Sequence, residues 1–403
     1  MLDAHPDEIS WCEVSADAIS TNLATLRRGL SESTLLGIVV KSNAYGHGMT
    51  SCVGAFAAAG ADWLIVNGAK EASVVRDLGI EIPVYICGPI FPSEAVEIVN
   101  AAASVALCDE EMATALARAG RWAGRSVGVH IKVETGTNRQ GLSPASAVCF
   151  ARYIAGLEGI DLEGVTTHYA DIEDTTDHSF ALAQLRRLQE VDRALDTAGF
   201  PARLVHSANS AATLISPPTH GGLVRVGIAA YGLWPSSEIY ATALERRLVV
   251  GGRQMPQLRP LLSWKTRVAQ VKDVPEGEYI GYGRTFRATH PMRIAVLPVG
   301  YYEGYDRRLS NVGHALINGV RAPVRGRICM NMAMVDITHI PAVDRGTVAT
   351  LLGKDGTEEV SAEHWAGWMG SIHYEALARI HPDQPRYLRS ADGTLLKGEH
   401  LDS

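Results

Sequence analysis

The stretch Leu35-Leu-Gly-Ile-Val-Val-Lys41-Ser-Asn-Ala-Tyr45-Gly-His-Gly48 is an apolar run that ends in a lysine and a Gly-rich loop. Such a run is typical of a buried parallel strand, so it predicts a strand that delivers Lys41 to a loop. A partly desolvated lysine has a lowered pKa and can attack a carbonyl to form a Schiff base. The alternative is a lysine at a sheet edge whose stem is packed and whose ammonium group reaches water.

Seven more runs of this kind alternate with helix-period segments between residues 16 and 235. Strands that alternate with helices in this way predict an α/β fold, a (β/α)₈ barrel of the TIM type. An open doubly wound sheet is the alternative, although no G-x-G-x-x-G follows the first run. The predicted strands are Leu35–Val40, Trp63–Val66, Pro83–Cys87, Ser104–Leu107, Val127–Val133, Leu162–Thr167, Arg203–His206 and Leu223–Val226.

The pattern changes after Pro235, where segments rich in Val, Arg and Thr alternate with period two between turn signals. This pattern is typical of a mostly β domain. We predict a barrel over residues 15–245, a β-rich domain over 246–390 and a tail over 391–403. The N-terminal strand, within residues 1–14, is predicted to join the β-rich domain. The linker is predicted at Leu248–Pro260, and the β-domain strands at Ser10–Val14, Trp264–Val271, Arg293–Val299, Ala315–Ile317, Ala333–Ile337 and Val348–Leu352.

The composition narrows the class of protein. A chain of 403 residues, 46% of them hydrophobic, suits two domains with ample core. The net charge of −7, without a long basic block, argues against nucleic acid or an anionic membrane as a partner. No apolar run reaches membrane-spanning length, and no signal-peptide pattern is evident at the N-terminus. Six scattered cysteines without C-x-x-C spacing predict buried thiols in a reducing compartment, no metal site, and a cytoplasmic location.

Polar and basic side chains follow five of the predicted barrel strands, at the end of a barrel where chemistry takes place. Several have ordinary structural explanations as well. His168 can be a core histidine, Arg225 a rim ion pair, and Asn209 a helix cap. The residues are Lys41 and Tyr45, Lys132 and Arg139, His168, Asn209 and Ser210, and Arg225, Gly227 and Ile228.

A phosphate site is predicted at the loops after the seventh and eighth strands, the usual phosphate-binding corner of such barrels. Ser210 offers a hydroxyl there, and the chain around Gly227 and Ile228 offers backbone N–H groups. A lysine for a Schiff base together with a phosphate site indicates pyridoxal 5'-phosphate (PLP) as cofactor.

Four motifs resemble signatures of the alanine racemase family. The resemblance runs from Trp11 to Leu388 and implies a PLP-dependent amino-acid racemase that supplies D-alanine for peptidoglycan. The motifs are Val40-Lys41-x-Asn43-Ala-Tyr45-Gly-His-Gly48, His206-x-Ala-Asn209-Ser210, Arg225-x-Gly227-Ile228-x-x-Tyr231-Gly and Gly326-Arg-Ile-Cys-Met330.

The resemblance implies a role for each cofactor-binding residue. Lys41 would carry PLP covalently, Arg225 would face the pyridine nitrogen, and His168 would lie by the ring and contact Arg225. Because a guanidinium group keeps its proton, the ring nitrogen stays neutral, and this weaker electron sink favours reprotonation at Cα over transamination. Asn209 is grouped with the cofactor-binding residues. The residues assigned to the phosphate are Tyr45, Ser210, Gly227 and Ile228.

Racemisation requires proton donors and acceptors on both faces of a planar carbanion. Lys41 serves one face, and the resemblance assigns the other to Tyr282 in Ile280-Gly-Tyr282-Gly. In this family the tyrosine and the backbone at Met330 reach the site from the second subunit. The resemblance therefore implies a homodimer with shared active sites.

The resemblance places further residues near a small amino-acid substrate. Arg139 would bind the substrate carboxylate and the cofactor phenolic oxygen, and Tyr301, Met330 and Asn331 would also lie at the substrate. Lys132 matches a position that is often carbamylated in the family. The carbamate is an anion that attracts Arg139, whereas an unmodified ammonium group would repel it.

Three motifs depart from the family pattern. Asn331 replaces the usual Asp after Met, Tyr302 replaces Ala in the Gly-Tyr-Ala-Asp-Gly run, and Pro382 replaces a phosphate-binding Tyr found in some members. These changes leave open a racemase of broader specificity, acting on serine for example. Another fold-type III PLP enzyme, or a PLP-binding protein without catalytic activity, is a more distant alternative.

Overall fold

The structure is a computed structural model that describes residues 7–250 and 255–397. The chain divides into two compact units. The barrel unit contains Ala18–Ser42 and Val53–Arg259. The β unit contains the described residues of Met1–Asp17, Asn43–Cys52 and Pro260–Ser403.

Eight parallel strands form the sheet of the barrel unit, in the order β8-β7-β6-β5-β4-β3-β2-β9. The ring closes between β8 and β9, where Gly222 N–H donates to the carbonyl of Val205 at 2.9 Å. The predicted barrel followed by a mostly β domain is therefore confirmed. The barrel strands are β2 (Leu35–Val39), β3 (Trp63–Val66), β4 (Val84–Ile86), β5 (Ala103–Leu107), β6 (Val127–Lys132), β7 (Ile160–Thr166), β8 (Leu204–His206) and β9 (Leu223–Val226).

Helices follow the barrel strands, as crossovers between parallel strands require. Helix α6 shows why these segments are helical, because the Asp109 side chain caps its first turn and Gly124 ends it in the left-handed conformation. The helices are α1 (Ala16–Arg28), α2 (Lys41–Tyr45), α3 (Met49–Ala58), α4 (Ala69–Asp77), α5 (Ala95–Asn100), α6 (Glu110–Ala123), α7 (Ala147–Ala155), α8 (Ser179–Thr197), α9 (Ser210–Ile215), α10 (Ser237–Val250), α11 (Ala362–Met369) and α12 (His373–Ala378).

The β unit contains one eight-stranded sheet, one three-stranded sheet (β11-β14-β17) and one two-stranded hairpin (β12-β13). In the large sheet, β1 lies between β10 and β20. The strands of the whole β unit are β1 (Ser10–Ser15), β10 (Leu262–Arg267), β11 (Gln270–Val274), β12 (Tyr279–Ile280), β13 (Phe286–Arg287), β14 (Met292–Leu297), β15 (His314–Ile317), β16 (Val320–Pro323), β17 (Ala333–Asp336), β18 (Val348–Asp355), β19 (Glu358–Val360), β20 (Arg386–Arg389) and β21 (Leu395–Lys397).

Buried aromatic rings fill the core of the β unit. The rings of Trp264 and Trp365 lie 5.7 Å apart, and Tyr305 packs against Trp365 at 5.4 Å. Such edge-to-face pairs stabilise a core beyond the area that they bury.

Several local predictions differ from the structure. The predicted strand Trp264–Val271 is two strands, β10 and β11, which belong to different sheets. The predicted tail contains β21, which pairs with β20, while residues 398–403 lie outside the described residues. The predicted linker Leu248–Pro260 begins inside α10, and residues 251–254 and 1–6 are also outside the described part.

The six cysteines are free thiols, and only Cys12 and Cys52 are fully buried. Burial raises the pKa of both thiols to about 12. Cys149 is exposed, which the prediction of buried cysteines did not include. No helix within the described residues has the length and hydropathy of a membrane span.

Candidate active site

Lys41 follows β2 directly, at the carboxyl end of the barrel strands. The preceding residues are held firmly, because Val40 N–H donates to the carbonyl of Ile65 at 2.8 Å and the hydroxyl of Tyr231 donates to the carbonyl of Val39 at 2.9 Å. Lys41 itself is half-buried. Its amine has no hydrogen bond or ion pair with any residue in the described ranges. The amine is therefore available for a ligand.

A left-handed backbone segment follows Lys41. Residues Ser42 to Tyr45 have φ between 53° and 55°, and none of them is glycine. Each such residue costs roughly 1–2 kcal/mol, and strain of this kind persists where the surroundings impose it, often at functional sites. The sequence did not predict this conformation.

The left-handed segment ends at Gly46, and we expect Gly46→Ala to destabilise the protein by on the order of 3 kcal/mol. Gly46 has φ +81°, and a Cβ there would overlap the carbonyl of Leu377. Gly79→Ala is the matched control, because Gly79 has φ +72° with nothing within 4 Å. Urea unfolding measures both, and equal losses for the two variants would contradict the steric argument.

Arg225 lies buried at the end of β9, and its guanidinium group donates only to uncharged acceptors. No carboxylate among the described residues pairs with it. Burial lowers the pKa of this guanidinium group. Its acceptors are Thr166 Oγ1 at 3.2 Å, His206 Nδ1 at 2.5 Å, Thr167 O at 2.9 Å, Ser207 O at 3.2 Å and His168 Nδ1 at 3.4 Å.

The basic residues of the barrel unit lie around His168. Its pKa lies well below the ordinary value, first because the ring is buried and then because of the positive charges of Arg225, Lys132, Arg139 and Lys41. The imidazole is therefore neutral at physiological pH. These four basic side chains make this end of the barrel an anion-binding region.

Lys132 is 9% exposed, at the end of β6. Its pKa falls to about 7, chiefly because it is buried and next because Arg225 is near. A large fraction of the amine is therefore neutral at pH 7. A neutral amine is nucleophilic and can add to carbon dioxide, which is the chemistry that carbamylation requires.

Ser210 and the chain after β9 lie together where the sequence predicts a phosphate site. The Ser210 hydroxyl oxygen accepts N–H hydrogen bonds from Gly227 at 3.0 Å and from Ala229 at 3.3 Å. Since the oxygen already accepts twice, the hydroxyl hydrogen is left to donate to an anion. The Ser210 hydroxyl fits the phosphate of PLP, and the basic side chains around His168 fit its other anionic groups.

Both polar atoms of the Asn209 side chain have hydrogen-bond partners within the protein. Its Oδ1 accepts from Ala212 N–H at 3.0 Å and caps α9, and its Nδ2 donates to Glu173 at 2.8 Å. Direct cofactor binding by the Asn209 side chain is therefore not favoured. The residue holds Ser210 at the start of the helix.

The other predicted site residues lie in the β unit. Tyr282 is 72% exposed, between Gly281 and Gly283. Both glycines have positive φ, which presents the tyrosine at the tip of a tight turn. The remaining predicted residues on this unit are Tyr301, Met330 and Asn331, which are also exposed, and Tyr45, whose ring lies 6.1 Å from that of Tyr374.

The positions that depart from the family pattern form a polar and aromatic surface in the β unit. Asn331 Nδ2 donates to Glu303 Oε1 at 2.6 Å. Tyr302 is 56% exposed and stacks on His381 with ring centroids 4.8 Å apart. The carbonyl of Pro382 accepts from Arg386 at 2.8 Å.

Two polar residues of the barrel, His130 and Glu163, were not predicted to have a role. A signal for His130 was present, because His130 and Lys132 are two apart in one strand and so share a face. A histidine on the inward face of an otherwise apolar strand is a candidate for a polar network.

Comparisons with known proteins agree over both units. Residues 14–235 match the family described as alanine racemase, N-terminal domain, and residues 261–388 match alanine racemase, C-terminal domain. The chain is 36% identical over 379 residues to an alanine racemase of Leptospira interrogans, covering 94% of this chain and 95% of that protein. It is 38% identical over 378 residues to an alanine racemase of Symbiobacterium thermophilum, covering 94% and 96%.

Solved structures give the same result. An alanine racemase from Bacillus anthracis with bound L-Ala-P has 32% identity and a TM-score of 0.87, covering 98% of each chain. One from Clostridium difficile 630 has 27% identity and a TM-score of 0.89, covering 97% of this chain and 98% of that one.

Proposed function

The chain belongs to the alanine racemase family and is an isomerase, and from this premise we propose that it interconverts L- and D-alanine with PLP as cofactor. The observation that carries the proposal is the set of cations around His168, where the amine of Lys41 has no partner in the described residues. The test is to follow D-alanine formed from L-alanine by the PLP-loaded protein. Absence of D-alanine while PLP is bound would contradict the proposal.

The chain's own residues hold the cofactor. We infer that Lys41 bonds to it covalently, and that Ser210, the N–H group of Ile228 and Tyr45 bind the phosphate, while the Gly227 N–H holds the Ser210 hydroxyl oxygen in place. Arg225 would face the ring nitrogen. When bound, PLP withdraws electrons from the substrate and stabilises negative charge at its Cα. Because the guanidinium group keeps its proton, it limits this withdrawal and favours return of the proton to Cα.

Two residues move the proton at Cα in this proposal. The amine of Lys41 accepts or donates it on one face, and the hydroxyl of Tyr282 of the partner subunit does so on the other. The exposure of Tyr282, Tyr301 and Met330 supports a homodimer, because a partner's barrel would cover them. Each β unit would then complete the site of its partner.

Arg139 binds the substrate carboxylate in this proposal. Its side chain is exposed, and its backbone N–H donates to Glu134 at 3.3 Å. A carbamate on Lys132 would attract the guanidinium group and orient it. The pKa of Lys132 near 7 supports this modification.

We therefore expect Lys132→Gln to raise the KM for L-alanine by roughly tenfold, as loss of a residue that orients a ligand-binding group does. The protein without a substitution, incubated with ¹³C-bicarbonate at pH 8, should show a carbamate carbon signal in the ¹³C NMR spectrum. Lys132→Gln should lack that signal and provides the control. A spectrum without a carbamate signal from either protein would contradict the modification.

The residues that depart from the family pattern bear on the range of amino acids that the protein accepts. The stacked pair of Tyr302 and His381, with Asn331 bound to Glu303, offers polar groups that alanine does not use. We propose that alanine is the preferred substrate, and expect kcat/KM for L-serine to be at least about tenfold lower. Equal values for the two amino acids would favour a racemase of broader range.

We also propose that the product D-alanine serves cell-wall peptidoglycan. The prediction is that the gene restores growth of a bacterial strain that depends on added D-alanine. A catalytically active protein that fails to restore growth when expressed would contradict this role.

A further inference from the structure

A row of hydrogen-bonded polar groups runs through the barrel to Arg225. His206 Nδ1 lies 2.5 Å from Arg225 Nη1, and His206 Nε2 lies 2.8 Å from His130 Nδ1. His130 Nε2 lies 3.2 Å from Glu163 Oε2. We call Glu163, His130, His206 and Arg225 the relay.

The relay lies in an interior layer of the barrel. The ring of Tyr85 in β4 lies 4.8 Å from His130 in β6 and 5.3 Å from His206 in β8. Alternate strands contribute the side chains of one interior layer in such barrels. His130 and His206 are 0% and 1% exposed, so water does not compete for their ring nitrogens.

The direction of every hydrogen bond in the relay follows from its two ends. A guanidinium group only donates, so His206 Nδ1 accepts from Arg225 and the ring hydrogen sits on Nε2. That hydrogen is donated to His130 Nδ1, which leaves the hydrogen of His130 on Nε2. A carboxylate only accepts, and Glu163 accepts this last bond.

The charge states agree with this direction. Burial lowers the pKa of both His130 and His206, so both rings are neutral. Burial by itself would raise the pKa of Glu163, but hydrogen bonds from His130 and Ser104 outweigh it and lower the pKa below its usual value. The relay thus has an anion, Glu163, and a cation, Arg225, joined by two neutral imidazoles. The other carboxylate oxygen of Glu163 accepts from the exposed guanidinium group of Arg203 at 3.0 Å.

The backbone makes room for the relay. The pairing of β6 with β7 shifts between Val129 and His130, so that Glu163 is an extra residue in β7. Such a bulge re-aims a side chain. A Cβ on Gly164 would overlap the His130 ring, and a Cβ on Gly128 would overlap the Glu163 carboxylate. Glycine weakens a strand, so its presence here fits a need for space.

We propose that Glu163, His130 and His206 are positioning residues for the reaction, with Glu163 supplying the counter-charge that holds Arg225 protonated and in place. This inference rests on the proposed function. A buried cation without an adjacent anion is costly, and a chain of polarised hydrogen bonds offsets that cost. The relay gives Arg225 a distant anion, while its Nε–H has no acceptor among the described residues and can face a ring nitrogen.

The chemical consequence concerns a side reaction. If Arg225 loses its counter-charge, it yields its proton to the ring nitrogen more readily, and electrons are withdrawn from Cα more strongly. A proton is then added more often to an atom other than Cα. In that side reaction alanine would lose its amino group to the bound cofactor and gain its carbonyl oxygen from water, so that one pyruvate would form for each cofactor converted to its amine form.

The test compares Glu163→Gln with Glu81→Gln, which removes the same charge from an exposed residue before β4. For Glu163→Gln we expect kcat to fall about 10- to 100-fold with KM for L-alanine little changed. Pyruvate formed per racemisation event should rise at least about tenfold. Glu81→Gln should behave as the unsubstituted protein. An unchanged pyruvate ratio in Glu163→Gln would overturn the proposal, even though racemisation itself would stand.

A second measurement needs no activity. In PLP-free protein labelled with ¹⁵N-histidine, His130 and His206 should both show the tautomer with hydrogen on Nε2, assigned by loss of each signal in His130→Asn and His206→Asn. Gly164→Ala, which displaces the His130 ring without changing a charge, should change the tautomer signals and raise the pyruvate ratio. A hydrogen on Nδ1 of either ring in the unsubstituted protein would overturn the relay.

Discussion

Lys41→Ala should abolish covalent attachment of PLP and reduce racemisation by at least about 10⁴-fold, because the variant loses both the attachment point and one of the two acid–base groups. Borohydride reduction of the unsubstituted protein should fix the cofactor on the peptide that contains Lys41, and mass spectrometry should find it there. The visible absorbance band of the bound cofactor should be absent from the variant.

Lys70→Ala is the control for this prediction, since Lys70 is an exposed lysine of α4. It should retain the absorbance band, the labelled peptide and full activity. A Lys41→Ala protein that still carries PLP on another lysine and racemises alanine normally would contradict the assignment.

Tyr282→Phe should lower racemisation by about 10²- to 10⁴-fold, the range expected when a general acid–base group is removed. The loss should be confined to one face of the substrate. In D₂O, one alanine enantiomer should still exchange its α-hydrogen through Lys41, while the other should exchange much more slowly. Mass spectrometry of each enantiomer after incubation measures this.

Tyr279→Phe is the matched control, because Tyr279 is 48% exposed in β12 and precedes the same turn. The change keeps the ring that lies within 5.8 Å of Arg284 and Arg287. It should leave exchange of both enantiomers intact. Equal slowing of both enantiomers by Tyr282→Phe would exclude a role on one face only.

The barrel was predictable because buried parallel strands must be apolar on both faces. Each of the eight predicted runs corresponds to one strand, with ends that differ by two residues or fewer. The β unit was harder to predict. Period-two alternation continues from β10 into β11, and alternation alone does not reveal that the chain passes from one sheet to another.

The site was predictable in its residue types but not in its geometry. Polar residues at strand ends predicted that Lys41, His168 and Arg225 lie close together, because parallel strands deliver their carboxyl ends to the same edge. The left-handed segment after Lys41 was not predictable, since only surrounding structure imposes such strain. The relay was also missed, because Glu163 reaches His130 through a bulge that changes the register.

The hydrogen bonds of Asn209 are a further feature that the sequence did not predict. The motif around His206 and Ser210 suggested cofactor binding, yet the amide of Asn209 caps α9 and binds Glu173. A motif indicates that a residue type is needed at a position. It does not distinguish a residue that touches the ligand from one that holds its neighbour.

Each active site of the proposed homodimer combines the Lys41 amine of one protomer with Tyr282 of the partner subunit. Co-expression of Lys41→Ala and Tyr282→Phe protomers with different tags allows the mixed dimer to be purified and its racemase activity to be measured. One of its two sites would then be intact, and we predict about half of the unsubstituted activity per dimer. A mixed dimer as inactive as either parent variant would contradict a site shared between subunits.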